Sequence, residues 1–487
     1  MSQKQTKIKS GKPRRLTQDE TEILLQAIRL KPEFALACLE KGTDPNLSLN
    51  DVYPIHMAIK YGRMDVLEAL LETGAKPDVK TNKGYTPLMF AVNKNNMAAV
   101  EMLLDNRADI TKTDKEGRSI LHFTRNPKMI DYLLDNGVDI NATDMMVGTL
   151  LHHAVLEKNS KLVAHLIEKG AHVNETGKDK LTPLHLAKDK EMARILVEAG
   201  ADLNAREAFT KETPLHKAIM SKNEALAEYL VEMGSRLDAE TDHEEMPLEV
   251  ALKHGTPKMV EMLIRAGADT SITGAKDRAS LFTMASDPKM IDILAVEGLK
   301  INHQDKYGMT ALHLVSDPKI AEALLNRRAD INIEDKMGNT PLLLALKGGR
   351  YEVAELLIEK GAKVGKSDQY GVSPWEYVRK ELKRDNLSDK ERQKLTKLQQ
   401  QMKEKSAWYE RLLAQNEDKG SDAKSLDSAN EKEAIKQDAG QKTPTALAQN
   451  ESVSQGASAV LAQDGHGQNI TQATRPTVTP AKDRGMA

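Results

Sequence analysis

Histidine is the residue type in this sequence whose spacing most resembles a chemical site. Six of the thirteen histidines are separated by about 30 to 33 residues or a multiple of that distance: His56, His122, His152, His185, His216 and His313. A row of imidazoles could bind a metal, but zinc requires its nitrogen ligands at about 2 Å. If this spacing marks a structural repeat, histidines in successive packed units would lie roughly 10 Å from each other. The spacing therefore argues against one zinc ion shared by these histidines.

Other catalytic or cofactor chemistry is poorly represented. Cys38 is the single cysteine, which excludes an internal disulfide, and its apolar surroundings predict a small buried side chain. His152 and His153 are the one adjacent histidine pair, and no HExxH, CxxC or GxxxxGK[ST] motif exists. The acidic residues that recur along the chain are predicted to form turns: Asp44, Asp109, Asp139, Asp202, Asp269 and Asp330. We expect no catalytic residue, no metal and no cofactor, and therefore no enzyme.

The six histidines belong to a Thr-Pro-Leu-His-like tetrapeptide that recurs through most of the chain. It is clearest in "LTPLHLA" (181–187) and "ETPLHKA" (212–218), and weaker in copies such as "SILHFT" (119–124). We call its proline-equivalent positions anchors, and they are residues 54, 87, 120, 150, 183, 214, 247, 281, 311, 341 and 374. Eleven anchors at intervals of 30 to 34 residues indicate a repeat architecture.

A helix that ends in glycine is predicted within each repeat. The segments "TRNPKMIDYLLDNG" (124–137) and "ASDPKMIDILAVEG" (285–298) show its pattern, which is a cap, a proline, an apolar stripe and a closing glycine. Counting back ten residues from each closing position predicts helix starts at 32, 64, 97, 127, 160, 190, 224, 257, 288, 318 and 351. Eight of the preceding residues are good N-caps: Asn96, Asn126, Asn159, Asp189, Asn223, Thr256, Asp287 and Asp317.

Four repeats, anchored at 120, 183, 281 and 311, are shorter than the others. They have 15 residues from the histidine position to the closing position, against 18 in a full repeat. One helical turn takes about 3.6 residues, so we expect their first helices to lack nearly a turn. Two closing glycines are also replaced, by Arg107 and Arg328. These places are predicted to interrupt regular stacking.

This combination resembles the ankyrin repeat, which has a β-turn finger, two antiparallel helices, a period of 33 and a "TPLHxA" signature. The resemblance covers roughly residues 17–380. It implies an all-α repeat solenoid of about eleven units, with β-turn or hairpin fingers between the helix pairs. It also implies that the signature histidines make structural hydrogen bonds, and that partners contact the finger tips and the first helices.

Composition and pattern together predict the domain organisation and the compartment. Net charge is −2, no 18-residue apolar run exists, and the basic N-terminus lacks an apolar signal core. We therefore expect no nucleic-acid binding, no membrane insertion and a cytoplasmic location. The predicted segments are a basic disordered tail (1–16), an N-terminal capping helical half-repeat (17–46), the ankyrin repeats (47–380), a charged amphipathic helix (386–416) and a disordered low-complexity tail (417–487).

The candidate partner-binding residues precede the signature or lie on the first helices. In a chain with 3% aromatic residues, apolar finger tips are candidate anchors for a partner. The predicted set is Lys60, Tyr61, Tyr85, Arg118, Tyr307, Met309, Met337 and Tyr370. The alternative is that some of these side chains pack against the neighbouring finger.

The principal hypothesis is a monomeric, non-enzymatic interaction protein that binds a protein partner through finger tips and groove. One alternative is an enzyme that uses the repeats to dock its substrate. Another is a scaffold that self-assembles as a coiled coil through the helix 386–416, whose heptads are few. The irregular repeats and polar tail also resemble ankyrin proteins that intracellular bacteria deliver into host cells, where such an effector would bind a host protein.

Overall fold

A computed structural model describes residues 18–270 and 281–417. The tail predicted at 1–16 lies outside the described residues, as does the tail predicted at 417–487 apart from Glu417, which ends the last helix. The fold class is confirmed, because the described chain is an all-helical array of ankyrin repeats. Among the described residues, none of the helices has the length and apolar character needed to cross a membrane.

Each anchor is the first residue of a short helix. Proline at this position suits the first helical turn, where its missing N–H has no partner to lose. The full first helices are Pro54–Lys60, Pro87–Asn93, Leu150–Leu156, Pro214–Met220, Pro247–His254, Pro341–Lys347 and Pro374–Glu381. The four repeats with the shorter spacing have first helices of only four residues: Ile120–Phe123, Pro183–Leu186, Leu281–Met284 and Ala311–Leu314. The helices at 120 and 281 are also wound more tightly, as 3-10 helices.

The second helix of each repeat begins where the closing glycine predicts. After the N-terminal Pro32–Glu40, these helices are Met64–Glu72, Met97–Asp105, Pro127–Asp135, Ser160–Glu168, Lys190–Glu198, Glu224–Glu232, Pro257–Arg265, Pro288–Val296, Pro318–Asn326 and Tyr351–Glu359. All eight predicted N-cap side chains accept a hydrogen bond from a backbone amide of the first turn. These caps satisfy amide groups that would otherwise lack a partner at the helix start.

The core consists of apolar side chains from both helices of every repeat. Met129, Ile130 and Leu133 are buried in one second helix, and Met290, Ile291 and Leu294 are buried in its near copy. Leu134, which the same stripe includes, is only partly buried. Each repeat thus buries its stripe against its neighbours, as a repeat that cannot form a core alone must do.

The fingers between the helix pairs are joined by backbone hydrogen bonds at their tips. The amide of Lys336 donates to the oxygen of Tyr307, and the amide of Gln369 donates to the oxygen of Met337, both at 2.9 Å. Gly308 permits this approach, since a Cβ there would lie 2.8 Å from the amide nitrogen of Lys336. Hydrogen bonds to the adjacent fingers therefore fix the position of each of these tips.

The N-terminal end differs from the predicted half-repeat because two helices are present, Gln18–Leu30 and Pro32–Glu40. The signature that marks other first helices is absent from Gln18–Leu30, and its pairing with Pro32–Glu40 is a tertiary property. Leu24 and Ile28 of this helix are buried and join the common core. The unit is therefore a helix pair without a preceding described finger.

The last helix, Asp389–Glu417, follows Pro374–Glu381, and residues 389–405 of it pack on the repeat anchored at 341. Its apolar residues Leu395, Leu398 and Met402 are buried in the common core. Polar contacts to the helix Tyr351–Glu359 flank them: Lys394 to Glu352 at 2.5 Å, Lys397 to Glu355, and Gln401 to Glu355 at 3.1 Å. This seam is therefore occupied within the chain.

Candidate functional site

The signature histidines join consecutive repeats. In five of them the Nε2 atom lies 3.0–3.2 Å from a main-chain oxygen of the next finger: Tyr85, Gly148, Leu181, Glu212 and Asn339 are the acceptors. Because a carbonyl oxygen only accepts, Nε2 carries the proton and Nδ1 is free to accept. In all of these except His56, the hydroxyl of the residue before the anchor donates to Nδ1, for example Thr149 to His152 at 2.9 Å.

Burial keeps these imidazoles neutral. It lowers the pKa of His56 and of His216 to about 4, although the hydrogen bond from His56 to the oxygen of Tyr85 acts in the opposite direction. Burial likewise lowers the pKa of four others: His122, His152, His185 and His313. A neutral imidazole whose Nε2 bonds to the next repeat, and whose Nδ1 bonds within its own repeat, suits a structural role, as the resemblance implied.

Three consecutive fingers present large side chains to solvent. Tyr307 is 54% exposed, Met337 44% and Tyr370 69%. We call these three residues the C-terminal tip row. Successive packed layers are about 10 Å apart, so the three fingers present one anchor per layer. Met309, predicted with them, is half-buried beneath its own tip.

An aspartate shapes each finger of this row. Asp305 Oδ1 accepts from the amides of Tyr307 and Met309, both at 2.8 Å. Asp368 makes the same contacts with the amides of Tyr370 and Val372 at 2.9 Å, and Asp335 does so with Met337 and Asn339. The tip backbones are thus fixed before any partner arrives, which limits the entropy lost on binding.

The N-terminal candidate residues pack mainly against each other. The guanidinium of Arg118 lies 5.6 Å from the ring centroid of Tyr85 and 5.1 Å from that of Phe123. Arg118 also donates to the Tyr85 hydroxyl at 2.8 Å and to Asp114. Tyr85 and Arg118 are therefore half-buried and committed to neighbouring fingers.

Lys60 and Tyr61 lie together at the end of the first helix Pro54–Lys60. The Lys60 Nζ atom is 5.6 Å from the Tyr61 ring centroid, and the Arg29 guanidinium is 5.9 Å from it. Lys60 is exposed and Tyr61 is half-buried. This pair is accessible, but it lies at the opposite end of the chain from the C-terminal tip row.

Sequence reasoning missed two sets of accessible apolar residues. Three further tip residues are more than half exposed: Met145, Met146 and Phe209. Their position in the sequence, just before the signature, could have identified them as finger-tip residues. The second set is a partly exposed row on the first helices, at the position after the signature histidine: Met57, Phe90, Phe123, Leu186, Met284, Leu314, Leu344 and Tyr377. We call it the first-helix row.

Comparisons with known proteins agree with this architecture. The family profile described as Ankyrin repeats (3 copies) matches residues 24–114, 55–144, 121–207, 206–273 and 281–368, well over half of the chain. The E3 ubiquitin-protein ligase KEG of Arabidopsis thaliana is 27% identical over 292 residues, which cover 49% of this chain and 18% of that protein. The nuclear factor NF-kappa-B p105 subunit of Gallus gallus is 32% identical over 247 residues, covering 48% and 22%.

Among solved structures, the human ASB11 ankyrin repeat domain is 28% identical, with a TM-score of 0.38, and covers 44% of this chain and 98% of that chain. The chain spans about a fifth of the length of the two curated relatives. They are a plant and a bird protein, so delivery into a host by a bacterium gains no support from them and stays a prediction. Ankyrin repeats typically bind proteins, and the extended match shows that this chain belongs to the ankyrin repeat family.

Proposed function

We propose that this protein is a non-enzymatic protein-binding module whose partner contacts the C-terminal tip row and the adjacent part of the first-helix row. The observation that carries the proposal is the exposure of Tyr307, Met337 and Tyr370 on three consecutive fingers. Tyrosine and methionine are enriched where proteins meet. Three of them in series would give one partner segment three anchors.

The energetics of the fingers favour this surface over the N-terminal candidates. The tip amides are held by Asp305, Asp335 and Asp368, so contact orders little additional backbone. Tyr85 and Arg118, by contrast, are half-buried and already bonded to each other at 2.8 Å, so they offer less free surface to a partner. Truncating a central tyrosine anchor typically costs 2 kcal/mol or more of binding free energy, roughly a thirtyfold loss of affinity.

The self-assembly alternative has less support in the described residues. The seam Leu395, Leu398 and Met402 is buried against the chain's own repeats. A coiled coil between two copies through that seam would first have to release the helix. We therefore propose that the protein binds its partner as a monomer.

Quantitative affinity capture from a lysate of the source organism tests the proposed surface. The baits are the full chain, the variant Tyr307→Ser/Met337→Ser/Tyr370→Ser, and the matched control Met145→Ser/Met146→Ser/Phe209→Ser. Both variants replace three exposed apolar tip residues, so they change the general stickiness of the surface by a similar amount. Circular dichroism and thermal unfolding check that all three baits are folded.

The expected result is a protein that the full chain and the control variant enrich at least tenfold more than the tip-row variant. That protein is then purified, and its affinity for each bait is measured by calorimetry. Loss of capture only with the control variant would move the contact to the central fingers. Equal capture by all three baits would refute the tip row as the contact surface.

A further inference from the structure

Two histidines and an aspartate from three different segments converge at one point in the array. His122 belongs to the shortened first helix Ile120–Phe123, Asp144 to the following finger, and His153 to the helix Leu150–Leu156. One potential ligand atom of each lies within 4.8 Å of the others. His153 Nε2 is 2.7 Å from Asp144 Oδ2. The rings of His122 and His153 meet edge to face, with their centroids 5.4 Å apart.

The backbone holds this cluster in place. Asp144 has a fully buried side chain, and its Oδ1 accepts the amides of Met146, Val147 and Gly148 at 2.7–3.0 Å. These three bonds leave Oδ2 directed at His153. His122 is held on both sides of its ring, by the Ser119 hydroxyl and the Gly148 oxygen, each at 3.0 Å. These partners fix the positions of the Asp144 and His122 side chains before any ion binds.

The cluster departs from the pattern of the other fingers. In other fingers the aspartate Oδ2 pairs with a permanently charged group, as Asp114 does with Arg118 and Asp368 with Lys347, or with a neutral amide, as Asp335 does with Asn339. Here the partner is an imidazole, with a second imidazole beside it. Residues at the position equivalent to His153 are otherwise apolar or lysine, as in Met57, Phe90, Phe123, Leu186, Lys217 and Leu314. Two imidazoles and a carboxylate form a ligand set that suits zinc.

We propose that His122, Asp144 and His153 bind one divalent transition-metal ion of the zinc class, with water as a fourth ligand. Asp144 would bind through Oδ2, and His153 through Nε2 once the proton on that atom has moved to Nδ1 or left. His122 would give up one of its two hydrogen bonds to supply a nitrogen. His153 is the partly exposed member of the set, and it gives the ion a route from solvent. The ion would link two repeats where the first helix has only four residues.

Calorimetric titration of the untagged full chain with zinc sulfate tests the site. The first variant is His153→Leu, which introduces a residue that other repeats carry at this position. The second is Asp144→Asn, which keeps an oxygen that can accept from the backbone amides but removes the negative charge. The matched control is His165→Gln. His165 bonds to Asp131 at 2.9 Å across two repeats but belongs to no described three-ligand group.

We expect the full chain and the control to bind one zinc ion that both cluster variants bind at least about a hundredfold more weakly. The same ion should raise the thermal midpoint of the full chain and of the control, but not that of the two cluster variants. Cobalt in its place should give the strong visible absorption of a tetrahedral site, lost in the variants. Absence of zinc binding by the full chain, or unchanged binding by folded His153→Leu and Asp144→Asn, would overturn the proposal. If one variant fails to fold, the other decides.

Discussion

The Nε2 atom of His313 lies 3.1 Å from the main-chain oxygen of Asn339 in the next finger, while its Nδ1 lies 2.9 Å from the Thr310 hydroxyl. One fully buried side chain thus joins the start of its own helix to the neighbouring repeat. We expect His313→Ala to lower the free energy of unfolding by about 3 kcal/mol, because a cavity forms and two buried polar groups lose their partner. Urea denaturation followed by circular dichroism measures the change. His303→Ala, at an exposed site in the preceding finger, is the control and should change stability by less than about 0.5 kcal/mol.

The buried histidines predict a loss of stability in mild acid. The pKa of His56 and of His216 is about 4 in the folded chain, against 6.5 as the ordinary value. Between these limits the unfolded chain binds protons that the folded chain does not, so stability falls as the pH is lowered from 6.5 towards 4. Each histidine contributes on the order of 3 kcal/mol when the effect is complete.

Urea midpoints measured at pH 7, 6 and 5 test this prediction. The variant His216→Met places at this site the residue type that Met89 supplies in another repeat. Its unfolding free energy should depend less steeply on pH across this window. An unchanged slope would show that His216 is not among the groups responsible.

Two arginines occupy helix ends that favour glycine. Arg107 and Arg328 both have φ of +64°, in the left-handed region, where most closing positions carry glycine. In that region a residue with a Cβ is less stable than glycine by roughly 1 kcal/mol of conformational free energy. We expect Arg107→Gly and Arg328→Gly each to raise the unfolding free energy by about 0.5–1 kcal/mol, after allowing for the greater freedom of glycine in the unfolded chain. The reciprocal change Gly170→Arg, where φ is +90°, should lower stability by a similar amount.

The shortened first helices should be the places where the array opens first. A helix of four residues such as Ala311–Leu314 makes fewer internal hydrogen bonds than Pro341–Lys347, which has seven residues. Native-state hydrogen exchange should therefore show less protection in Ile120–Phe123, Pro183–Leu186 and Ala311–Leu314 than in full first helices. Uniform protection across both classes would mean that neighbouring repeats compensate fully for the missing turn.

The docked part of the last helix makes a separate prediction. Leu398 is buried, and Leu→Ala at such a site typically costs 2–5 kcal/mol. We expect Leu398→Ala to speed exchange of the amides of residues 389–405 while leaving those of Pro54–Lys60 unchanged. The exposed Gln400→Ala is the control. Light scattering on the same samples should give the mass of one chain, whereas a dimer that Leu398→Ala dissociates would support self-assembly.

The helices could be predicted almost residue by residue, because the signals that start and end them lie in adjacent residues. All eleven predicted second-helix starts, from Pro32 to Tyr351, are first residues of helices in the structure. Caps, prolines and closing glycines act within one turn, so their effect can be read from adjacent residues. Gln18–Leu30 carries no such signature, and its pairing depends on tertiary contacts. It was therefore not predicted as a helix of its own.

Features of the candidate site could be predicted only where they depend on residues close together in the sequence. The exposure of Tyr307, Met337 and Tyr370 follows from their position at the tip of a tight turn. The stacking of Arg118 on Tyr85 depends on the direction of two side chains 33 residues apart in sequence. The approach of His153 to Asp144 likewise depends on how a helix folds back over a finger. Residue spacing alone contains neither relationship.

Because each repeat packs on its immediate neighbours, the array has a predictable response to mechanical force. The helix Pro318–Asn326 contacts Pro288–Val296 on one side and Tyr351–Glu359 on the other, so load applied at the two ends would pass through the repeats in series. Under tension such a chain yields one repeat at a time, beginning at its weakest joint. Each event would free about 33 residues, or roughly 110 Å of extended chain. The shortened repeats would then unfold first and lengthen the molecule, while the remaining repeats stay folded.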